Sequence, residues 1–174
     1  MRQAREDLRP EQKAENDHAI FARLTSLAEL TAATTVFCFI SSGLETDTHA
    51  LLEWLQSQGK RICVPKITGK NTMVAVSFTG WSGLEPGPFG IPAPVESRVF
   101  AEKIDVCITP GLGFTLRGDR LGHGQGYYDR WFAHHPVGHR IGLAYECQLL
   151  DHFPREQDDI TLDMIITEQR VIRV

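Results

Sequence analysis

No apolar run in this sequence approaches the ~20 residues that a helix needs to cross a bilayer, so no membrane partner is expected. The opening segment MRQAREDLRPEQKAEN is too polar for a signal peptide, and the expected location is the cytoplasm. A surplus of basic charge is also missing. Lys and Arg number 18 against 22 Asp and Glu, a formal net charge of -4. Phosphate backbones therefore find no general attraction here, and no basic stripe interleaved with aromatics appears, so nucleic acid is excluded as the expected partner. Any anion must be met by a local basic site. The four cysteines, Cys38, Cys63, Cys107 and Cys147, lack the spacing of a zinc knuckle or redox pair and read as buried thiols in a reducing compartment. The histidines carry no metal-ligand spacing either; His134 and His135 fall at an expected helix end. Neither GxxxxGK[ST] nor GxGxxG occurs, which argues against a Walker ATPase and a Rossmann dinucleotide site.

What is present is 174 residues with 42% hydrophobic content, enough to bury one core without staples, so one domain spanning 1–174 is expected. Residues Pro10 to Leu30 set Ala14, Ile20, Leu24, Leu27 and Leu30 among charges at helical spacing, predicting one amphipathic helix. Thr35 to Ile40 is a short β-branched and aromatic run, a buried strand that stops at Ser41-Ser42-Gly43. A second helix is expected from about Asp47 through Leu55, with Gly59 as its stop. Strands follow at 61–65 and 73–77. Gly80 to Pro94 is rich enough in Gly and Pro to be a loop, and Ile104 to Thr109 is another apolar strand. Tyr127 to His134 reads as a helix, 140–144 as a strand and 162–167 as the last strand. Strands apolar on both faces, alternating with helices, predict an α/β fold with a mainly parallel sheet covered on two sides.

Between Gly111 and Gly126 the sequence reads GLGFTLRGDRLGHGQG, six glycines in sixteen residues. Glycine permits positive φ and close approach of main chain to a ligand. This segment follows a buried strand and ends at a helix start, where amide groups and the helix dipole favour an anion. The plain alternative is a surface loop whose glycines only make turns. Arg120 before the cluster, and Tyr127, Tyr128, Asp129 and Arg130 after it, favour the anion site.

The run PGLGFTLRGDRLGHGQGYYDRWF resembles the signature of the 5-formyltetrahydrofolate cyclo-ligase family, commonly PGxxFDxxGxRLGxGxGYYDR. FISSGLETDT, GKRICVP, GPFGIPAP and DDITLDMIITE are similar to further segments of that family. The resemblance covers nearly the whole chain. It implies a three-layer αβα fold of the kind shared with sugar-phosphate isomerases and CoA transferases. It also implies an ATP-dependent closure of 5-formyltetrahydrofolate, in its free or polyglutamylated form, to 5,10-methenyltetrahydrofolate, with Mg²⁺ as cofactor and a monomer or weak homodimer as the working form.

By the same resemblance, Arg120, Leu121, Gly122, His123, Gly124, Gln125, Gly126, Tyr127 and Tyr128 would bind ATP, joined by Arg2 and Arg5 from the opening helix. Ile40, Glu45 and Phe89, again with Tyr127 and Tyr128, would meet the folate, Glu45 accepting paired hydrogen bonds from the pterin. Asp129 and Asp163 would ligate Mg²⁺, a hard cation that prefers oxygen ligands. Each has a structural alternative. Ile40 and Phe89 suit core packing, the tyrosines a helix face, Asp129 and Glu45 a helix dipole, and Asp163 an exposed strand end. The chain departs from the family pattern at Thr115, where Asp is common, and carries His123 and Gln125 in variable slots. Two other functions share the expected fold: a folate- or nucleotide-binding relative without turnover, and a sugar-phosphate isomerase-like enzyme.

Overall fold

The computed structural model describes residues 2–95, 98–156 and 158–174, and the side chains of Arg2 and Phe89 lie outside that description. The chain runs α1 (Arg2–Glu6), α2 (Pro10–Ser26), α3 (Ala28–Ala32), β1 (Thr35–Cys38), α4 (His49–Ser57), β2 (Arg61–Gly69) and β3 (Thr72–Ser77). It continues through β4 (Leu84–Pro86), β5 (Pro92–Pro94), β6 (Ile104–Thr109), β7 (Gly113–Thr115), β8 (Arg120–Leu121) and α5 (Tyr127–His134). The last elements are β9 (Val137–Leu143), β10 (Leu149–Leu150), β11 (Met164–Ile166) and β12 (Val171–Arg173).

Seven strands form one sheet in the order β12-β11-β9-β6-β1-β2-β3. The interior pairs β2–β1, β1–β6, β6–β9 and β9–β11 are parallel, while β3 and β12 close the edges antiparallel. Parallel strands are stable when both faces are covered, and alternate residues supply the cover. Val36, Cys38, Ile62, Val64, Val106 and Ile108 join the cluster built with α2, α3 and α4 through Ile20, Leu24, Leu30, Leu51 and Leu55. Their neighbours Phe37, Cys63 and Cys107 face the other way, against Tyr128, Trp131 and Phe132 of α5. The mainly parallel α/β architecture expected from the sequence is thus present. Among the described residues no helix is long and apolar enough to cross a membrane.

Four local expectations are corrected. The helix expected over Pro10 to Leu30 breaks at Leu27, whose ψ of 124 is extended. The Ser26 hydroxyl donates to the Arg23 carbonyl, the acceptor that the Leu27 N–H of a continuing helix would have used, and Leu24, Leu27 and Leu30 stay buried through the bend. The stretch expected as plain loop, Gly80 to Pro94, contains the antiparallel ribbon β4–β5. The strand expected to be last is followed by β12, reached by a turn in which the Thr167 hydroxyl accepts the Gln169 and Arg170 N–H groups. The exposed Cys147 departs from the buried reading that fits Cys38, Cys63 and Cys107. Burial pushes those three thiols up, Cys63 to about 12, which leaves them as inert apolar filling.

The glycine-rich segment is more ordered than a loop. Its first half forms β7 and β8, which with β10 make a three-stranded sheet. Phe114 of β7 is fully buried. A Cβ on Gly111 would lie 2.5 Å from its ring, and one on Gly142 of β9 would lie 2.6 Å away. Those two glycines serve the packing of one aromatic ring against the main sheet.

Candidate active site

The carboxyl ends of β1, β6 and β9 lie side by side, the usual place for a ligand in an open α/β sheet. A tight crevice there, with no room for a water molecule in this structure, is lined by Phe39, Glu45, Thr46, Gly111 and Gln148, and by Arg5 from α1. Arg5 is 7% exposed, and its Nε is buried without a hydrogen-bond partner. A buried donor left unmatched is costly, so an anion entering the cleft would relieve it. Two residues predicted for different ligands, Arg5 and Glu45, are therefore neighbours in one cleft.

Glu45 stands on a tight turn after β1. Its carboxylate accepts the Ser42 N–H at 2.9 Å, and its own N–H donates to the Ser42 carbonyl at 3.1 Å. Thr48 and Ser41 exchange two further bonds, Ser41 N–H to the Thr48 hydroxyl at 2.9 Å and Thr48 N–H to the Ser41 hydroxyl at 3.0 Å. Gly43, at φ +58, gives the turn its left-handed step.

Sequence reasoning missed the groups outside this turn that hold it. Asp17 of α2 accepts the Tyr145 hydroxyl at 2.6 Å and the Asp47 N–H at 3.1 Å, and the Lys13 ammonium lies 2.7 Å from its other oxygen. The Tyr145 hydroxyl also approaches the Glu45 carbonyl at 3.4 Å. Gln148 accepts the Tyr145 N–H at 2.9 Å and donates to the carbonyls of Gly111 and Leu112 at 2.9 and 3.2 Å. The only local signal was the Lys13/Asp17 spacing of four on a helix face.

Arg120 turns inward. Its guanidinium makes a 2.8 Å ion pair with Asp129, with side chains 5% and 18% exposed, and lies over the Tyr128 ring at 5.3 Å. The second Asp129 oxygen accepts the Ile160 N–H at 3.2 Å. Arg120 Nε is buried and unpartnered, as is the Tyr128 hydroxyl, whose pKa burial pushes well up. Leu121 is half-buried in β8, its carbonyl accepting the Leu112 N–H at 2.7 Å.

From Gly122 the chain crosses solvent, with His123, Gly124 and Gln125 exposed. Gly124 and Gly126 have φ of +80 and +58, and Gly126 caps α5. Among the described residues, no chain acceptor takes the amides of Gly124, Gln125 or Gly126. Gln125 and Tyr127 line a cavity of about 360 Å³ together with Thr68, Lys70 and Pro88. Arg130 lies at 6.0 Å over the Tyr127 ring and donates to the Asn71 carbonyl at 3.0 Å.

Ile40 is 2% exposed and belongs to the principal core, so it offers a ligand little surface. Asp163 immediately precedes β11 and is gripped by Arg140, which donates from its backbone N–H, Nε and Nη2 at 2.7, 3.1 and 2.9 Å. Burial raises its pKa, but the Arg140 bonds outweigh this and the net direction is down. Among the described residues no three His, Cys, Asp or Glu side chains gather into a metal site. The two carboxylates expected at a metal, Asp129 and Asp163, are each committed to an arginine, Arg120 and Arg140.

A family model described as the 5-formyltetrahydrofolate cyclo-ligase family matches residues 1–168. The chain is 32% identical to the 5-formyltetrahydrofolate cyclo-ligase of Escherichia coli (strain K12) over 178 aligned positions, 98% of each chain. It is 26% identical to the mouse protein of the same name over 75% of its length and 71% of the relative's. Among solved structures, the 5,10-methenyltetrahydrofolate synthetase of Aquifex aeolicus superposes with a TM-score of 0.85 at 32% identity, covering 97% of this chain and 86% of that one.

Proposed function

The chain belongs to the 5-formyltetrahydrofolate cyclo-ligase family, and from that premise we propose that it uses ATP to convert 5-formyltetrahydrofolate into 5,10-methenyltetrahydrofolate. The formyl oxygen attacks the γ-phosphorus of ATP and ADP leaves. N10 then attacks the formyl carbon, the carbon–oxygen bond breaks with loss of phosphate, and the N10 proton is released. Such phosphoryl transfer asks the protein for positioning and charge neutralisation more than for a covalent partner.

The observation that carries this reading is the cleft at the strand ends, where a carboxylate on a braced turn and a buried arginine with a spare donor share one wall. Glu45 would accept the pterin N–H pair. Arg5 would meet phosphate oxygens, and the amides of the 122–126 crossing would wrap the triphosphate. Tyr127 and Tyr128 brace that crossing from the first turn of α5. Asp129 would turn one oxygen from Arg120 to a magnesium ion bound with the nucleotide; Asp163, held by Arg140 at the amino end of β11, would reach that ion only by giving up those bonds. The ion, when bound, supplies neutralisation of phosphate charge. Arg120, once Asp129 is drawn to the metal, gains a free face for phosphate.

The test is direct. Mixing the protein with 5-formyltetrahydrofolate, ATP and Mg²⁺ should raise the near-ultraviolet absorbance of the methenyl product, with ADP formed in equal amount. Ligand binding without product would overturn the catalytic reading.

A further inference from the structure

The Glu45 turn is internally bonded, but its attachment to the rest of the molecule runs through very few groups. Asp47 N–H reaches Asp17 at 3.1 Å, the Tyr145 hydroxyl reaches the same Asp17 oxygen at 2.6 Å, and that hydroxyl approaches the Glu45 carbonyl at 3.4 Å. Tyr145 is 1% exposed and fills its site completely. Three residues further along the same turn, Gln148 grips the Gly111 and Leu112 carbonyls, where the glycine-rich segment begins. Residues 145–148 thus touch both walls of the cleft. Lys13 neutralises Asp17 from the preceding helical turn, at 2.7 Å.

We propose that Asp17 and Tyr145 are positioning residues for the folate half of the site, fixing the height of Glu45 relative to the glycine-rich segment through the Asp17 oxygen that accepts both the Tyr145 hydroxyl and the Asp47 N–H. This rests on the reading of Glu45 as the pterin-facing carboxylate. The physical reason is geometric: a carboxylate that accepts two N–H groups from a flat ring tolerates little displacement, and tying the backbone two residues on to a fixed acceptor limits displacement. Neither Asp17 nor Tyr145 need touch the ligand. Tyr145→Phe keeps the ring volume and deletes only the hydroxyl; Asp17→Asn keeps an acceptor oxygen and Asp17→Ala removes it.

The experiment measures the affinity of each variant for 5-formyltetrahydrofolate and, separately, for Mg-ATP by calorimetry, with Glu45→Gln as reference. The expected result is a loss of about tenfold in folate affinity for Tyr145→Phe and Asp17→Ala, with unchanged ATP affinity and recovery of most folate affinity in Asp17→Asn. Equal losses for both ligands would mean general loosening and would overturn the proposal. Folate affinity unaltered in Tyr145→Phe but reduced in Glu45→Gln would overturn it while leaving the Glu45 reading intact. Folate affinity unaltered in Glu45→Gln would remove the reading beneath it as well.

Discussion

The turn carrying Glu45 and the crossing from Gly122 to Gly126 stand near each other and are built on opposite plans. In the first, Ser41, Ser42, Glu45, Asp47 and Thr48 satisfy one another, and Asp17 and Tyr145 secure them from outside. In the second, glycine leaves the backbone exposed, and among the described residues no chain acceptor takes the amides of Gly124, Gln125 or Gly126. A flat heterocycle with fixed donors rewards a preset acceptor. A triphosphate has many equivalent oxygens and can organise bare amides around itself as it arrives. On the proposed assignment, rigidity would stand where the ligand is specific, and conformational freedom where the ligand is strongly charged.

The contrast breaks most readily at the root of the crossing. Arg120→Ala would leave the partly buried Asp129 carboxylate without its cation, and an uncompensated charge of this kind costs about 3 kcal/mol. Denaturant melts should show that loss, and ATP affinity should fall more than folate affinity. Equal losses would mean that Arg120 holds the fold and has no preference between ligands.

A matched glycine pair sharpens the comparison. Gly43 and Gly124 both have positive φ, +58 and +80, and a Cβ at either would meet nothing within 4 Å. Alanine should therefore cost each about 1 kcal/mol of backbone strain with no clash. Gly43→Ala should weaken folate alone and Gly124→Ala should weaken ATP alone, by titration calorimetry. Crossed effects would dissolve the two-plan description.

The smallest effect lies at Asp163. Burial works against its charge and Arg140 works more strongly for it, so it stays ionised in the folded chain at a lower pH than in the unfolded one. Its contribution is present above the ordinary carboxylate range and fades as pH falls through it. Stability measured against pH should have a shallower acid limb in Asp163→Asn, although Asp105 and Glu29, also held down in pKa, will keep part of the slope.

The large sheet was legible because TVFC, RICVP and IDVCIT are apolar on both faces, a pattern that buried parallel strands require. The glycine-rich segment was singled out as a candidate site by its composition and by the residues flanking it. The β12 strand was not, because Val171 and Arg173 are exposed and a short edge strand needs no apolar alternation. Asp17 and Tyr145 lie 128 positions apart, and only the completed sheet brings them together. Arg120 was read as an ATP ligand, and its pairing with Asp129, nine residues on, lies across a chain reversal that sequence spacing does not encode.

The Phe114 ring, lodged where Gly111 and Gly142 leave room for it, acts as a rivet between the small sheet and the large one. Breathing of the crossing should then stop abruptly at β8 instead of spreading into β6 and β9. Amide protons from 122 to 126 should exchange quickly beside neighbours in β7 that exchange slowly. On the proposed assignment, the nucleotide side of the site would open many times over without disturbing the floor on which the other ligand would rest.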